Sequence, residues 1–324
     1  MKEISLSYVI TTYNKLPYLK QVLSSLLKNV KEDEEVVITD GGSTDGTPEY
    51  LKKLFDQGKI HQYVSEKDSG EAHGWNKAWL MAKGKIIKII LDDDVFYYPG
   101  IQKCKEFMLK HPEIDILSTD GIFTKAIHES AFINSKQYST GYFNIISDYV
   151  PIYNEWRFDG KPFSFCNLGW MLRKSSIPIF GLCDPTYTRV DAEFSIRASR
   201  GKANIAWYTG KTWLRILNPN SNSFTMNKKI ASDTERLSII YPGSHLESEV
   251  LQKKWFEFLP TNVQNTLKSL RNAVLDKKET NQEKFIPNDT DWENVFKVRQ
   301  NELLEINKKE TGKFMFKGDG QTKI

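Results

Sequence analysis

The sequence predicts an α/β fold in which a mostly parallel sheet is covered by helices on both faces. Patterns typical of strands and of helices alternate through roughly the first 120 residues. Three unusual polar clusters follow directly after predicted strands, at residues 11–14, 40–45 and 92–94. Because ligands bind beyond the carboxyl ends of the strands in such sheets, these clusters predict a binding site at one edge of the sheet.

The order of the elements supports this fold from the first residues onward. Residues 5–12 are rich in β-formers and predict the first strand, and apolar residues at helical spacing from Leu16 to Val30 predict the first helix. Later strands are predicted at 35–39, 60–65, 85–91, 114–118, 205–208 and 213–217, and later helices at 47–55, 71–82, 99–109 and 186–200. The segment from residue 120 to 215 is less regular and rich in aromatic residues.

After about residue 225 the chain becomes polar, with apolar residues at helical spacing. We therefore predict a main domain over residues 1–225 and a helical C-terminal extension over residues 226–324. Pro260 interrupts the apolar pattern of residues 247–275, which favours two helices there over one. The last dozen residues, 313–324, are expected to fray.

The composition excludes some partners and compartments. A net charge of +4 gives no case for nucleic-acid binding. No stretch approaches the roughly 18 apolar residues of a membrane-spanning helix, and the N-terminal residues show no signal-peptide pattern. The three cysteines, Cys104, Cys166 and Cys183, have neither a disulfide framework nor paired metal-ligand spacing. These features predict a cytoplasmic protein with reduced thiols.

The run Asp92-Asp93-Asp94 is the most informative feature of the chain. It follows directly on the apolar residues 85–91, which read as a buried strand. Each acidic side chain must stay hydrated or find a partner, so three in a row at a strand end indicate a site for a hard divalent cation. The alternative for the run by itself is a solvated acidic turn.

Five motifs together resemble the family-two inverting glycosyltransferases of the GT-A fold, a Rossmann-like α/β fold. They match in order and spacing over roughly the first 120 residues, and a weaker match continues to about residue 220. The motifs are Val9–Asn14, Val37–Thr47, Glu66–Gly70, Asn76–Lys77 and Asp92–Asp94. The resemblance implies an enzyme that uses a nucleotide-activated sugar, typically linked to UDP.

The resemblance also implies which residues bind the donor nucleotide. Asp40 is similar to the carboxylate that accepts a hydrogen bond from the base, and the neighbouring glycines let the backbone approach a ligand closely. His73 and Gly74 stand where Asp-Ala is frequent in the family, which leaves the donor sugar open. The implied donor-binding residues are Thr11, Tyr13, Asn14, Asp40, Gly42, Ser43, Asp68, Asn76, Asp92 and Asp93.

The acidic run corresponds to the DxD metal motif of the family. The resemblance implies Asp94 as a direct metal ligand, with Asp92 at the spacing of a second one, and Asp93-Asp94 also fits the paired-acid variant of the motif. Asp92 and Asp93 would share contacts to the ribose and support of the ion, in an order that the sequence leaves open. The ion would be Mn²⁺ or Mg²⁺, which neutralises charge on the leaving nucleoside diphosphate.

The family's catalytic base lies in an acidic motif that opens a helix and is followed by an Arg and a Gly. Asp191 fits this position, with Arg197 and Gly201 after it, and Glu193 is the alternative base. An acidic helix start that only complements the helix dipole is the structural alternative. Weaker candidates are Lys77 and Arg215 for phosphate contacts, and Trp156, Trp170 and Trp213 for acceptor stacking or core packing.

The sequence therefore predicts a metal-dependent inverting glycosyltransferase. The resemblance implies as acceptor a hydroxyl of a surface glycan or lipid-linked saccharide, in polysaccharide biosynthesis for the cell envelope. Two alternatives are a sugar-1-phosphate nucleotidyltransferase, whose usual glycine-rich, Arg-containing loop is missing at Thr11–Lys15, and a catalytically silent nucleotide-sugar-binding protein. Basic residues such as Lys253 and Lys254 permit peripheral contact of the C-terminal helices with the inner face of the cell membrane.

Overall fold

The computed structural model describes residues 3–126, 142–201, 203–216, 218, 221–244, 246 and 291–320. One sheet of ten strands forms the centre of this part of the chain. The strands are β1 (Leu6–Thr12), β2 (Glu34–Asp40), β3 (Gln62–Ser65), β4 (Ile86–Ile89), β5 (Val95–Phe96), β6 (Ile116–Ala126), β7 (Tyr142–Ile146), β8 (Met171–Arg173), β9 (Ile205–Leu214) and β10 (Phe314–Met315).

Ten α-helices are described between and after these strands. They are α1 (Leu16–Leu26), α2 (Thr47–Asp56), α3 (Glu71–Met81), α4 (Tyr98–Lys110), α5 (Val150–Asp159), α6 (Ile177–Phe180), α7 (Val190–Arg200), α8 (Asn222–Thr225), α9 (Asn227–Ile240) and α10 (Trp292–Lys309). The helix predicted at 186–200 begins later, at Val190. The two strands predicted at 205–208 and 213–217 form one continuous strand, β9.

The strand order is β10-β9-β6-β8-β4-β1-β2-β3, with β5 paired to β9 and β7 paired to β6. Strands β4, β1, β2 and β3 are parallel neighbours, and β6 is parallel to β9. β8 enters antiparallel between β4 and β6, and β5, β7 and β10 also pair antiparallel. In the β1–β2 register Thr12 lies opposite Asp40, so the polar loops after these strands leave the sheet at the same level.

Helices cover both faces of the sheet, as predicted. Alternate residues of β1 show the division: Tyr8 and Ile10 pack into a core with α1, α2, α4 and α10, whereas Val9 packs into a core with α3, α5 and α7. This alternation follows from the two-residue period of a strand. Both faces are therefore largely apolar, and the polar loops after β1, β2 and β4 meet beyond the carboxyl ends of these strands.

Helix α3 packs unusually close to β1. A Cβ atom on Gly74 would lie 1.9 Å from the Oγ1 atom of Thr11, a distance that no side chain could tolerate. Glycine is therefore required at this position for α3 to approach the carboxyl end of β1. The close approach brings the first turn of α3 to the edge where the predicted site lies.

The C-terminal residues pack against the sheet. Helix α10 contacts β9 and β5, and β10 extends the sheet beyond β9. The buried guanidinium of Arg157 binds both carboxylate oxygens of Asp319 at 2.8 Å. The expectation that residues 313–324 fray is therefore wrong for residues 313–320, because a strand and a buried ion pair hold them.

The helices predicted over residues 247–275 lie outside the described residues. The described part of the predicted extension is helical in α9 and α10, while the proposed boundary at residue 225 stays a prediction. Of the helices described, none combines the length and the apolar character needed to cross a bilayer.

Candidate active site

A cleft of about 720 Å³ opens at the carboxyl ends of β1 and β4. The first turns of α3 and α7, the segment after β9, and α8 and α9 complete its walls. Seven of the residues implicated from the sequence line it together: Thr11, Tyr13, Asp68, Asp92, Asp93, Asp94 and Asp191. Chain folding thus brings the acidic run and the helix-opening Asp191 into one cavity.

The loops after β1 and β2 support one another through side-chain hydrogen bonds. The buried Asp40 carboxylate accepts hydrogen bonds from the Ser43 amide and hydroxyl and from the Ser65 hydroxyl. Ser43 Oγ accepts a hydrogen bond of 2.7 Å from the backbone N–H of Asn14. The side-chain Oδ1 atom of Asn14 accepts one of 2.8 Å from the backbone N–H of Thr44. The described residues therefore place Asn14, Asp40 and Ser43 in the scaffold of the loops, and none of the three forms part of the cleft wall.

Two other predicted positions also support neighbouring backbone. Gly42 has φ +84°, the left-handed conformation that glycine adopts without strain. The Asn76 amide donates to the Cys183 carbonyl and accepts from the Cys183 amide, both at 2.8 Å, which ties α3 to the segment before α7. Neither residue belongs to the cleft wall that the structure describes.

The three aspartates of the acidic run differ in their partners. The Lys15 ammonium lies 2.7 Å from Asp93 Oδ2 and 3.4 Å from Asp92 Oδ1. Asp93 Oδ2 also accepts a hydrogen bond of 2.8 Å from the side-chain amide of Asn218. Asp94 Oδ1 accepts one of 2.7 Å from the backbone N–H of Ile216. Asp93 is thus the most strongly held of the three, and Asp94 does not share the ammonium contact.

Burial and mutual repulsion set the acidities of the run. Burial raises the pKa of Asp92 to about 6, and burial together with the Asp93 charge raises the pKa of Asp94 well above its usual range. Burial would also raise the pKa of Asp93, but the Lys15 ammonium lowers it below the ordinary value. Two of the three carboxyl groups therefore hold their protons to a higher pH than an ordinary aspartate, although the Arg215 charge opposes this at Asp94.

This donor set fits a divalent cation that arrives with phosphate groups. In the part of the chain that the structure describes, no group of three His, Cys, Asp or Glu side chains is arranged to hold a metal ion by itself. Mg²⁺ and similar ions in such sites are commonly bound by one or two carboxylates and by substrate phosphates. The buried carboxyl groups of Asp92 and Asp94 suit that role, because a bound cation would favour their ionised form.

Asp191 and Glu193 occupy different environments although both lie in the first turn of α7. Asp191 lines the cleft, and burial raises the pKa of its carboxyl group. Glu193 is buried and binds Arg197 through both oxygens, at 2.6 and 2.9 Å. Arg197 also donates to the carbonyls of Phe180 and Leu182, so it fixes Glu193 and the preceding loop.

Helix α9 positions the loop before Asp191. The Asp233 carboxylate accepts hydrogen bonds from the amides of Thr188 and Arg189, at 2.6 and 3.1 Å. The Arg189 guanidinium donates a hydrogen bond of 2.7 Å to the hydroxyl of Thr234 in the same helix. A helix from beyond residue 225 thus sets the geometry at the cleft.

The structure adds site residues that the sequence analysis missed. Glu71 lines the cleft at the start of α3. Its carboxylate accepts a hydrogen bond of 3.1 Å from Trp75 Nε1 and one of 2.9 Å from the side-chain amide of Asn222. Burial raises the pKa of Glu71. Lys15 directly follows the first polar cluster, so its position was a usable signal. No spacing in the sequence connects Glu71 with Asn222.

The aromatic walls of the cleft also differ from the sequence candidates. Trp156, Trp170 and Trp213 are at most 1% exposed and belong to the core. The aromatic residues that line the cleft are Tyr13, Phe123, Tyr149 and Tyr187. Of the weaker phosphate candidates, Arg215 lines the cleft, whereas Lys77 pairs with Glu66 at 3.4 Å.

Solved structures share this architecture. The mannosyltransferase PcManGT from Pyrobaculum calidifontis, in complex with GDP-Man and Mn²⁺, matches with a TM-score of 0.57 at 14% identity, covering 93% of this chain and 86% of that one. S. aureus TarS in complex with UDP-GlcNAc matches with a TM-score of 0.52 at 15% identity, covering 73% and 66%. These likenesses concern the fold alone, and they confirm the predicted GT-A architecture.

Sequence relatives agree with the fold. The putative teichuronic acid biosynthesis glycosyltransferase TuaG of Bacillus subtilis is 31% identical over 106 residues, which cover 32% of this chain and 42% of TuaG. The chain spans less than half of the length of the curated relatives that it matches. The model of the family described as "Glycosyl transferase family 2" matches residues 7–175, just over half of the 324 residues. The chain therefore belongs to glycosyl transferase family 2.

Proposed function

We propose that this protein is a metal-dependent inverting glycosyltransferase with Asp191 as its catalytic base. It would transfer a hexose from a UDP-sugar to a hydroxyl of a surface-glycan or lipid-linked saccharide. The observation that carries the proposal is the shared cleft of Asp94 and Asp191, which are far apart in the chain. A single displacement needs a charge-neutralising site at the leaving group and a base at the attacking hydroxyl.

The proposed reaction uses both of these carboxyl groups. Asp191 accepts the proton of the acceptor hydroxyl as its oxygen forms a bond to the anomeric carbon of the donor sugar. The bond from that carbon to the diphosphate oxygen breaks, and its electron pair leaves with the nucleoside diphosphate. When bound, the cation neutralises charge on that diphosphate. Attack from the face opposite the leaving group inverts the anomeric configuration.

Donor and acceptor are supported at different levels. The structural neighbours were solved with UDP-GlcNAc and with GDP-Man and Mn²⁺, which supports a nucleoside diphosphate sugar as donor. TuaG carries a name in teichuronic acid biosynthesis, which supports a cell-envelope acceptor. We propose Mn²⁺ or Mg²⁺ as the ion, held by Asp94 and Asp92. Asp68, Thr11 and Tyr13 line the part of the cleft proposed for the nucleotide.

The test compares two acidic residues of the same helix turn. We expect Asp191→Asn to lower kcat/KM by about 10²–10⁴-fold without loss of UDP binding, because it removes only the base. Glu193→Gln is the matched control, and it should alter the melting temperature more than the rate because Glu193 binds Arg197. Transfer is measured from UDP- and GDP-sugars, and NMR of the product reports the anomeric configuration. Unchanged turnover of Asp191→Asn would remove the base assignment.

The same assay separates the two alternative functions. A nucleotidyltransferase would produce a nucleotide sugar from a nucleoside triphosphate and a sugar-1-phosphate. A silent binding protein would bind UDP and give neither transfer nor hydrolysis. Family membership supports transfer over both alternatives.

We also propose peripheral contact with the inner face of the cell membrane through the predicted C-terminal helices. Flotation with anionic liposomes tests this, with a Lys253→Glu and Lys254→Glu double variant as the comparison. Flotation of the wild type and its loss in the variant are expected. Wild-type protein that stays at the bottom of the gradient would end this part of the proposal.

A further inference from the structure

The acidic run already contains a cation of the protein's own. The Lys15 side chain is only 17% exposed, and its ammonium contacts Asp92 and Asp93 at 3.4 and 2.7 Å. Lys15 is held there by chain geometry, because it directly precedes α1 and follows the loop that Asn14 and Ser43 fix. A tethered ammonium therefore stands against two of the three carboxylates.

This arrangement weakens the run as a site for a second cation. One ammonium and the amide of Asn218 already occupy Asp93 Oδ2, and the same ammonium contacts Asp92. A divalent ion at Asp92 would lie close to the fixed positive charge and would be repelled by it. Asp94 is the one carboxyl group of the run that Lys15 does not contact. A single carboxylate provides too few ligands for a hard cation.

We propose that Lys15 is an internal counter-ion that keeps free divalent cations out of the acidic run until the donor diphosphate arrives. This inference rests on the metal dependence proposed above. The incoming diphosphate supplies oxygen ligands to the ion and gives the Lys15 ammonium an alternative anion within the same cleft. Metal and nucleotide then bind together rather than in sequence, and Lys15 acts as a positioning residue.

The test measures Mn²⁺ binding directly, by EPR titration of the full-length protein with MnCl₂ in the absence and presence of UDP. We expect Lys15→Met to bind Mn²⁺ without nucleotide at least about tenfold more tightly than wild type, because a nearby positive charge is lost. With UDP present, the gain should shrink or reverse, since the ammonium no longer assists the diphosphate. A merely structural role predicts the opposite sign, because a disordered site binds the ion more weakly.

Matched variants control for charge and for packing. Lys15→Arg keeps the charge and should bind free Mn²⁺ as weakly as wild type. Lys52→Met removes an exposed lysine that pairs with Asp56 on α2, far along the chain from the run, and should leave Mn²⁺ binding unchanged. Lys15→Gln replaces Lys15→Met if the latter does not fold, since glutamine keeps a hydrogen-bond donor without the charge.

Each outcome decides a separate point. If wild type binds Mn²⁺ with UDP but the neutral variants bind free Mn²⁺ no more tightly, the counter-ion inference is wrong and the proposed metal dependence stands. If wild type binds no Mn²⁺ even with UDP, the metal dependence itself fails and takes this inference with it. Tighter binding of free Mn²⁺ in the neutral variant that folds, but not in Lys15→Arg, supports the inference.

Discussion

Two clusters of acids, buried except for the partly exposed Asp33, lie at opposite ends of the parallel strands, and each contains one lysine. At the amino end of β2, Lys105 contacts Asp33 and Glu34, both at 2.8 Å. At the carboxyl end of β4, Lys15 contacts Asp92 and Asp93. The residue types are nearly the same, so the difference between the clusters shows what distinguishes a structural charge network from a site.

The cluster at the amino end is closed. Glu34 also accepts a hydrogen bond of 2.8 Å from the side-chain amide of Gln102. The same amide donates a hydrogen bond of 3.0 Å to the hydroxyl of Tyr8. Its acids are matched by donors, and neither of them lines the cleft at the carboxyl ends of the strands. Such a network contributes specificity and is costly to break, although a well-packed apolar replacement of the whole group can be neutral.

The cluster at the carboxyl end is open and short of positive charge. It adds a third carboxylate, Asp94, and faces a cleft of about 720 Å³ that also contains Asp191. Burial without full neutralisation raises the pKa values of Asp92 and Asp94, whereas the lysine lowers that of Asp93. Buried carboxyl groups with raised pKa values beside open space mark a candidate functional site, and their chemistry suits a cation.

The largest expected effect comes from Asp94→Asn. We expect kcat/KM to fall by about 10³-fold or more, because the proposed metal ligand is lost. The melting temperature should stay the same or rise, because the variant removes a buried carboxyl group whose ionisation is disfavoured and keeps an acceptor for Ile216. Steady-state kinetics and thermal denaturation check the two halves of this prediction.

Glu34→Gln serves as the comparison for Asp94→Asn. It should lower the melting temperature and leave kcat/KM within about threefold of wild type, because Lys105 loses its buried charge partner and keeps only the partly exposed Asp33. Equal losses of stability in the two variants would contradict the distinction between the clusters.

A smaller effect is expected when each lysine is replaced. Lys105→Met should reduce the free energy of unfolding by about 3 kcal/mol, because it leaves a buried acid unpaired. Lys15→Met should also be destabilised, but Mn²⁺ with UDP should restore its melting temperature, since a bound ligand stabilises the folded state. Denaturant titrations with and without MnCl₂ and UDP measure both. If MnCl₂ and UDP also restored the melting temperature of Lys105→Met, the amino-end cluster would bind the ion as well.

The smallest expected effect is on the pH profile. Asp191 must be ionised to accept a proton, and burial raises its pKa above the ordinary value for aspartate. The rate should therefore fall as the pH drops through that raised pKa, by about tenfold per pH unit below it, at pH values where an exposed aspartate is still ionised. Measurement of kcat/KM for wild type and Asp191→Asn over the acidic range checks this. An identical acidic limb in the variant would assign it to another group.

Much of the fold was predictable because local patterns specify it. The alternation of strands and helices through β4 follows from two-residue and 3.6-residue apolar periods, which each segment carries by itself. The short antiparallel strands β5, β8 and β10 carry no such pattern, and their pairing depends on partners distant in sequence. The core position of Trp156 and the cleft position of Tyr149 were equally open in the sequence, because both are aromatic residues in an irregular segment.

The sequence by itself determined the α/β architecture, the acidic run at a strand end and the candidate base at a helix start, because each rests on neighbouring residues. Only the tertiary structure decided which acids share a cleft, that Lys15 lies against Asp92 and Asp93, and that Asp40 is held by Ser43 and Ser65. These facts depend on distances between segments far apart in the chain. Such distances are fixed by packing of the whole sheet and its helices.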